Sequence, residues 1–183
     1  MGTEVRPYRG SNVAIEKLSL AFRQRLGIDA ACYLGASGQL VDCVRKTGGE
    51  ICVTDSPEDY ETEGGSLVIR GPHDYTIYLS PYTTPLRDNF TIAHELGHFL
   101  LHYTDRRHEF EDDDLPLVFA RYGRDLLEWQ ANRFAASLLM PMEQFESDFK
   151  RFDGDVELLA GRYGVSVPAA EIRCRSLNLS VEA

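Results

Sequence analysis

The sequence predicts an α+β fold, because short β-type segments occupy its first half and amphipathic helical segments occupy its second half. The chain has 183 residues, of which 43% are hydrophobic and 26% are charged, a composition typical of a globular protein with a buried core. We expect a single domain in three parts. These are an N-terminal helix and strands over residues 1–65, a core over 66–141, and a C-terminal helical extension over 142–183.

The first half is predicted to hold one helix and a short mixed or antiparallel sheet. Apolar residues recur at helical spacing over residues 11–27, between Ser11 as N-cap and Gly27 as the residue that ends the helix. Runs of β-type residues follow, separated by glycine- and proline-containing turns. They predict strands at 31–34, 39–44, 51–54, 66–69 and 75–79.

Helical patterns dominate after Ser80. Thr84 and Pro85 form an N-cap and first-turn pair that predicts a helix ending near Tyr103. An acidic loop separates it from a second long helix, which ends at Met140-Pro141. Shorter helices are predicted over 143–152, 155–163 and 168–177.

The formal net charge of −10 argues against a general binder of nucleic acids or anionic membranes, since both are polyanionic. Residues 50–64 contain six acids and no Lys or Arg, and residues 105–128 contain eight acids and four arginines. The rest of the chain is balanced, with 15 acids and 15 bases. We expect the acidic loop 109–114 to border a cleft and favour a basic substrate, the alternative being a solvated loop.

The sequence predicts a cytoplasmic protein with reduced thiols. Its four cysteines, at positions 32, 43, 52 and 174, show no C-x-x-C spacing. The N-terminus lacks the apolar stretch of a signal peptide, and the longest apolar runs fall far short of the roughly 20 residues that span a bilayer. No membrane partner is expected.

Three of the five histidines fall within residues 94–102, and the first two form an H-E-x-x-H motif. Residues four apart share a helix face, so His94 and His98 can bind one metal ion while Glu95 lies beside an open coordination position. The expected number of chance matches in a chain of this composition is on the order of 0.01. The alternative is a surface helix whose histidines only form hydrogen bonds.

A catalytic zinc site needs a third protein ligand. His102 lies roughly 12 Å along the helix from His94, too far to share the ion, so we expect it to pack or to support a ligand. Glu128 begins the second long helix, and Asn132 shares its face and could hydrogen-bond a ligand histidine. The alternative is that Glu128 is an exposed acid in the first turn, stabilised by the helix dipole. Spacing alone does not favour either of these two roles.

The segment T-I-A-H-E-L-G-H-F-L-L-H, followed by E-x-x-A-N-R-F-A-A-S-L-L-M-P, resembles the ImmA/IrrE family of zinc metallopeptidases over roughly residues 67–179. The resemblance implies a small zincin-like, gluzincin-type peptidase domain with one Zn²⁺ per chain. His94, His98 and Glu128 would be its ligands and Glu95 its general base. The chain has Asn89-Phe90-Thr91 where many members have Arg-Phe-Thr, and residues 1–65 match nothing.

The family role implies regulatory proteolysis, in which the enzyme cleaves a helix-turn-helix repressor or an antitoxin, often in phages or mobile elements. An extended substrate is expected to add as a strand to residues 76–80 and contact Ile77, Tyr78 and Leu79. Three residues are candidates for stabilising the oxyanion, by type and position: Tyr103, His108 and Tyr122.

Two other functions stay open. Residues 159–177 could form a DNA-binding helix-turn-helix, although Pro168 and Arg173 fit the second helix of that motif poorly. We therefore expect no direct nucleic-acid partner. The protein could also be a toxin, or a pseudo-peptidase that keeps the zinc site and depends on a partner.

Overall fold

The computed structural model describes residues 5–28, 38–55, 66–111, 115–120 and 126–180. The predicted α+β fold is confirmed: these residues form seven α-helices and a four-stranded mixed sheet. The strand predicted at 31–34 lies outside the described residues. Within the described part of the chain, no helix is both long and apolar enough to cross a bilayer.

The N-terminal helix α1 (Asn12–Arg25) confirms the helix predicted over 11–27. The Ser11 hydroxyl accepts a hydrogen bond from the Ala14 N–H, and Gly27 has a left-handed φ of 66°. The strand predicted at 39–44 is wrong, because this segment is helix α2 (Gln39–Lys46). Its buried residues Leu40, Cys43 and Val44 have the i, i+3, i+4 spacing of a helix face.

Four strands form the sheet: β1 (Gly49–Val53), β2 (Ser66–Gly71), β3 (Asp74–Leu79) and β4 (Leu117–Ala120). Their order is β1-β3-β2-β4. Strand β3 pairs in parallel with β1 and antiparallel with β2, and β2 pairs antiparallel with β4. The edges of the described sheet are therefore β1 and β4. The sequence did not predict β4.

The helices after the sheet follow their predicted positions closely. Helix α3 (Pro85–His98) begins at the Thr84 cap, whose hydroxyl accepts the Arg87 N–H. It continues through a π-helical turn (Phe99–Tyr103) into a 3₁₀ turn (Thr104–Glu109). Four more helices complete the described chain: α4 (Leu126–Leu139), α5 (Met142–Arg151), α6 (Val156–Tyr163) and α7 (Val167–Ser176).

The core lies where α3 packs between the sheet and α4. The Tyr75 ring of β3 stacks on Phe99, with ring centroids 4.1 Å apart. On the other side, Gly97 lies so close to α4 that an added Cβ would come within 3.1 Å of the Ala131 Cα and carbonyl oxygen. The absence of a side chain at Gly97 thus sets the distance between the two helices that carry the sequence motifs.

Replacing Gly97 with alanine should lower the free energy of unfolding by about 1 kcal/mol. Overpacking against the α4 backbone costs about 1–3 kcal/mol, which exceeds the gain in helix propensity of up to about 1 kcal/mol. Gly161→Ala is the matched control, since Gly161 also lies within a helix but an added Cβ meets nothing within 4 Å. Urea unfolding should show that variant to be as stable as wild type or more stable. Equal effects of both changes would contradict the close contact.

Candidate metal centre

The H-E-x-x-H residues lie on the buried face of α3. His94, Glu95 and His98 are each at most 2% exposed. One potential ligand atom from each residue lies within 4.8 Å of the others, a spacing that could hold a metal ion. The helix alone brings these groups together, because residues four apart are separated by about one turn.

Helix α4 adds the carboxylate of Glu128 to this cluster. One carboxylate oxygen lies 3.3 Å from His94 Nε2 and the other lies 3.1 Å from His98 Nε2. The two Nε2 atoms are themselves 3.0 Å apart. The side chain of Glu128 is only 16% exposed, so it faces the histidines rather than the solvent at the helix start.

The orientation of the His94 ring suits a metal ligand. Its Nδ1 lies 2.9 Å from Asn132 Oδ1, an oxygen that can only accept, so Nδ1 carries the proton and Nε2 keeps its lone pair. This lone pair faces the Glu128 carboxylate, which at neutral pH also only accepts. Two acceptors at 3.3 Å repel each other unless a proton or a metal ion lies between them.

The distances among the three groups fit a tetrahedral ion. Donors ~2.0–2.1 Å from a zinc ion are about 3.3 Å apart along the edges of the tetrahedron. The observed separations of 3.0, 3.1 and 3.3 Å are close to this value, with each histidine facing a different oxygen of the Glu128 carboxylate. Two imidazoles and one carboxylate are also the donor set of many three-ligand zinc sites. His94, His98 and Glu128 could therefore hold such an ion.

Local electrostatics favour the charged form of Glu128 and the neutral form of His102. Burial alone would raise the pKa of Glu128, but its contacts with the rings of His94 and His98 outweigh burial and bring that pKa far below its ordinary value. Burial, together with the neighbouring His98, lowers the pKa of His102 to about 3. At neutral pH the carboxylate is thus an anion and the His102 ring is neutral.

His102 lies behind His98 rather than at the cluster of ligand atoms. Its Nδ1 is 3.0 Å from His98 Nδ1, and its Nε2 is 3.1 Å from Gln130 Oε1. The ring is fully buried. The sequence-based expectation that His102 packs or supports a ligand agrees with this position, as does the contact between Asn132 and His94.

The strand to which the substrate was predicted to add is not at an edge of the sheet. Residues Ile77, Tyr78 and Leu79 belong to β3, which pairs on both sides and cannot accept another strand. Ile77 and Leu79 are moreover buried. The edge strand next to the metal centre is β4, whose Phe119 ring lies 4.9 Å from the His98 ring and 6.4 Å from the His102 ring. Addition of a substrate strand to β3 is therefore ruled out by the pairing of the sheet, while contacts of these side chains with substrate stay a prediction.

The candidates for oxyanion stabilisation gain no support from their positions. Tyr103 is fully buried, with its ring packed against Phe99 and Phe110. The side chain of His108 is 76% exposed and lies 3.9 Å from Glu109. Tyr122 lies outside the described residues, as do positions 112–114 of the acidic loop. Within the described part of that loop, Glu109 is bound by Arg106 and Glu111 is exposed.

Two residues at the centre were missed by the sequence analysis. Phe119 belongs to the unpredicted strand β4, and its only signal was the short apolar run Leu117-Val118-Phe119-Ala120. Gln130 is 3% exposed and contacts His102, yet it lies two residues from both Glu128 and Asn132 and so off their shared helix face. No pattern in the sequence marks it.

Comparisons with known proteins identify a matching family and a similar fold. The model of a peptidase family, described as the IrrE N-terminal-like domain, matches residues 53–175, more than half of the chain. No curated protein matches the chain. A solved structure described as a Mycobacterium tuberculosis transcriptional regulator is similar with a TM-score of 0.60 and 18% identity. The match covers 91% of this chain but only 47% of that structure, so the chain spans about half of its length.

Proposed function

The chain belongs to the IrrE N-terminal-like peptidase family, and on this premise we propose that it is a zinc-dependent endopeptidase that performs regulatory proteolysis. The observation that carries the proposal is the meeting of His94, His98 and Glu128 around one point, with Glu95 beside them. Ligands of this kind leave a fourth position of a tetrahedral ion open for water and substrate.

Each residue of the centre has a distinct part in the proposed reaction. Zinc, when bound by the two histidines and Glu128, supplies a Lewis acid and an acidified water. Glu95 is not needed as a ligand, so its carboxylate accepts the proton of the attacking water and delivers it to the leaving amine. Asn132 holds the His94 ring with Nε2 directed toward the Glu128 carboxylate.

An extended peptide substrate would add to the outer edge of β4. Among the described residues this strand pairs with β2 alone, along one side, and its Phe119 packs on the ring of His98. Backbone hydrogen bonds along such an edge bind a peptide with little dependence on its sequence. The acidic segments 50–64 and 105–128 would add a preference for a basic partner.

The proposed substrate is a helix-turn-helix repressor or an antitoxin, whose DNA-binding surface is basic, and the proposed location is the cytoplasm.

A DNA-binding role for residues 159–177 is less compatible with the packing of α7. The Arg173 guanidinium is 1% exposed, donates to both carboxylate oxygens of Glu16 in α1, and also donates to the Met140 carbonyl. Arg173 is therefore not available to contact DNA, although Glu171, Ile172 and Arg175 on the opposite face of α7 are exposed.

Co-expression with a helix-turn-helix repressor, chosen from the genes next to this one where such a gene is present, tests the substrate. We expect wild type to convert the repressor into fragments and Glu95→Gln to leave it intact, since an amide cannot accept the water proton. The same comparison with purified, zinc-loaded proteins separates a self-sufficient enzyme from one that needs a trigger. A repressor that stays intact with both proteins in cells would remove the support for repressor cleavage.

A further inference from the structure

A chain of polar contacts, partly buried at Tyr8 and buried at the two histidines, runs from the N-terminal segment to His98. The segment 5–10 precedes α1 and lies against α4, where the Tyr8 backbone N–H donates to Gln130 Oε1 over 2.9 Å. Gln130 Nε2 donates in return to the Tyr8 carbonyl over 2.8 Å. Gln130 Oε1 also lies 3.1 Å from His102 Nε2, and His102 Nδ1 lies 3.0 Å from His98 Nδ1.

The directions of these hydrogen bonds follow from the first member, together with a single ring proton on His102. A backbone N–H can only donate and a carbonyl can only accept, so Tyr8 fixes which end of the Gln130 amide is oxygen. That oxygen requires a proton on His102 Nε2. The neutral His102 ring then has a bare Nδ1, which accepts the proton of His98 Nδ1 and leaves the lone pair of His98 on Nε2.

Asn132 imposes the same tautomer on His94 through one direct contact, whereas His98 depends on a series of contacts. The His94 support lies on α4 alone, whereas the His98 support ends in the backbone of a segment 122 residues away from Gln130 in the sequence. The segment is held from a second side, because Arg106 donates to the Pro7 carbonyl over 3.1 Å. Residues 5–10 also lie outside the part that the family model matches.

We propose that Gln130 and His102 are positioning residues that fix the tautomer and ring orientation of His98, with the Tyr8 backbone as their anchor. The proposal rests on the metal site proposed above. Partners that orient a ligand histidine contribute about 10–100-fold to metal affinity. By thermodynamic linkage, docking of segment 5–10 and metal binding favour each other.

Two replacements of Gln130 separate this role from ordinary packing. Gln130→Met keeps the volume of the side chain but removes the oxygen that accepts from His102. Gln130→Glu keeps an accepting oxygen for His102 but loses the donor to the Tyr8 carbonyl and brings in a buried charge. A purely structural role predicts that the glutamate variant is the more damaged of the two. The positioning role predicts the reverse order for metal affinity.

The experiment measures Zn²⁺ affinity by competition with a chromophoric chelator, and stability by urea unfolding of the metal-free proteins. We expect Gln130→Met to bind Zn²⁺ about 10–100-fold more weakly than wild type, and Gln130→Glu to remain within about threefold. The visible spectrum of the Co²⁺-loaded proteins should change with the methionine variant only. If that variant does not fold, His102→Phe takes its place and should show at least the same loss, since it removes the acceptor for His98 Nδ1 directly.

Each outcome has a separate meaning. Zn²⁺ binding by Gln130→Met within twofold of wild type would overturn the positioning role while leaving the metal site intact. So would an equal loss in both Gln130 variants, or affinities that follow the stabilities of the metal-free proteins. A wild-type protein that does not bind Zn²⁺ would instead overturn the proposed function itself.

Discussion

Glu95→Gln should reduce peptide hydrolysis by about 10²–10⁴-fold while leaving one zinc ion bound per chain. The amide has nearly the shape of the carboxylate but cannot accept the proton of the attacking water. The side chain is 1% exposed and belongs to the same cluster as the two histidines, so the change acts at the reacting atoms. Cleavage rates of the purified, zinc-loaded proteins, together with zinc content by atomic emission, measure both parts of this prediction.

The matched control for Glu95→Gln is Glu157→Gln, which makes the same change at an exposed position in the first turn of α6. It should leave both hydrolysis and zinc content unchanged. Hydrolysis by Glu95→Gln within tenfold of wild type would contradict the role of Glu95 as general base. Loss of zinc from this variant would instead assign Glu95 to the ligands.

Glu128→Ala should weaken Zn²⁺ binding by more than about 100-fold, because it removes the only anionic donor of the three. We expect this loss to be larger than the loss of affinity caused by removing a residue that only supports a ligand. The carboxylate oxygens of Glu128 lie 3.1 and 3.3 Å from the two histidine nitrogens, a spacing that suits donors around one ion. Chelator competition on wild type, His94→Ala and Glu128→Ala measures the loss, which the two variants should share.

The control for Glu128→Ala is Glu157→Ala, since both acids lie in the first turn of a helix. If Glu128 were only an acid favoured by the helix dipole, both variants would lose a few tenths of a kcal/mol of stability, up to about 1 kcal/mol, and neither would change zinc affinity. A difference in zinc affinity between the two variants therefore separates the ligand role from the dipole role. Equal zinc affinities would contradict the ligand role.

Features of the site that depend on local sequence were predicted well. The Thr84-Pro85 start, the i, i+4 spacing of the two histidines and the apolar stripe of α4 are set by residues within a few turns of each other. Helical spacing also predicted that Asn132 lies near a ligand histidine, and in the structure its side chain contacts His94. Chemistry carried by a single helix can be inferred from its own sequence.

Features that depend on distant pairing were not predicted. Strand β3 looked like a free edge because nothing local shows that β1 and β2 flank it on opposite sides. The segment 39–44 contains two valines and suggested a strand, but tertiary packing buries Leu40, Cys43 and Val44 as one helix face. Gln130 gains its partners only when segment 5–10 docks on α4, and the sequence carries no sign of that contact.

The central claim is that His94, His98 and Glu128 hold one zinc ion between α3 and α4. Anomalous diffraction at the zinc absorption edge, from crystals of the zinc-loaded protein, tests it most directly. The account predicts one strong peak per chain, ~2.0–2.2 Å from Nε2 of each histidine and from a Glu128 oxygen. A peak bound by His102 or by a cysteine, or located away from these two helices, would contradict it.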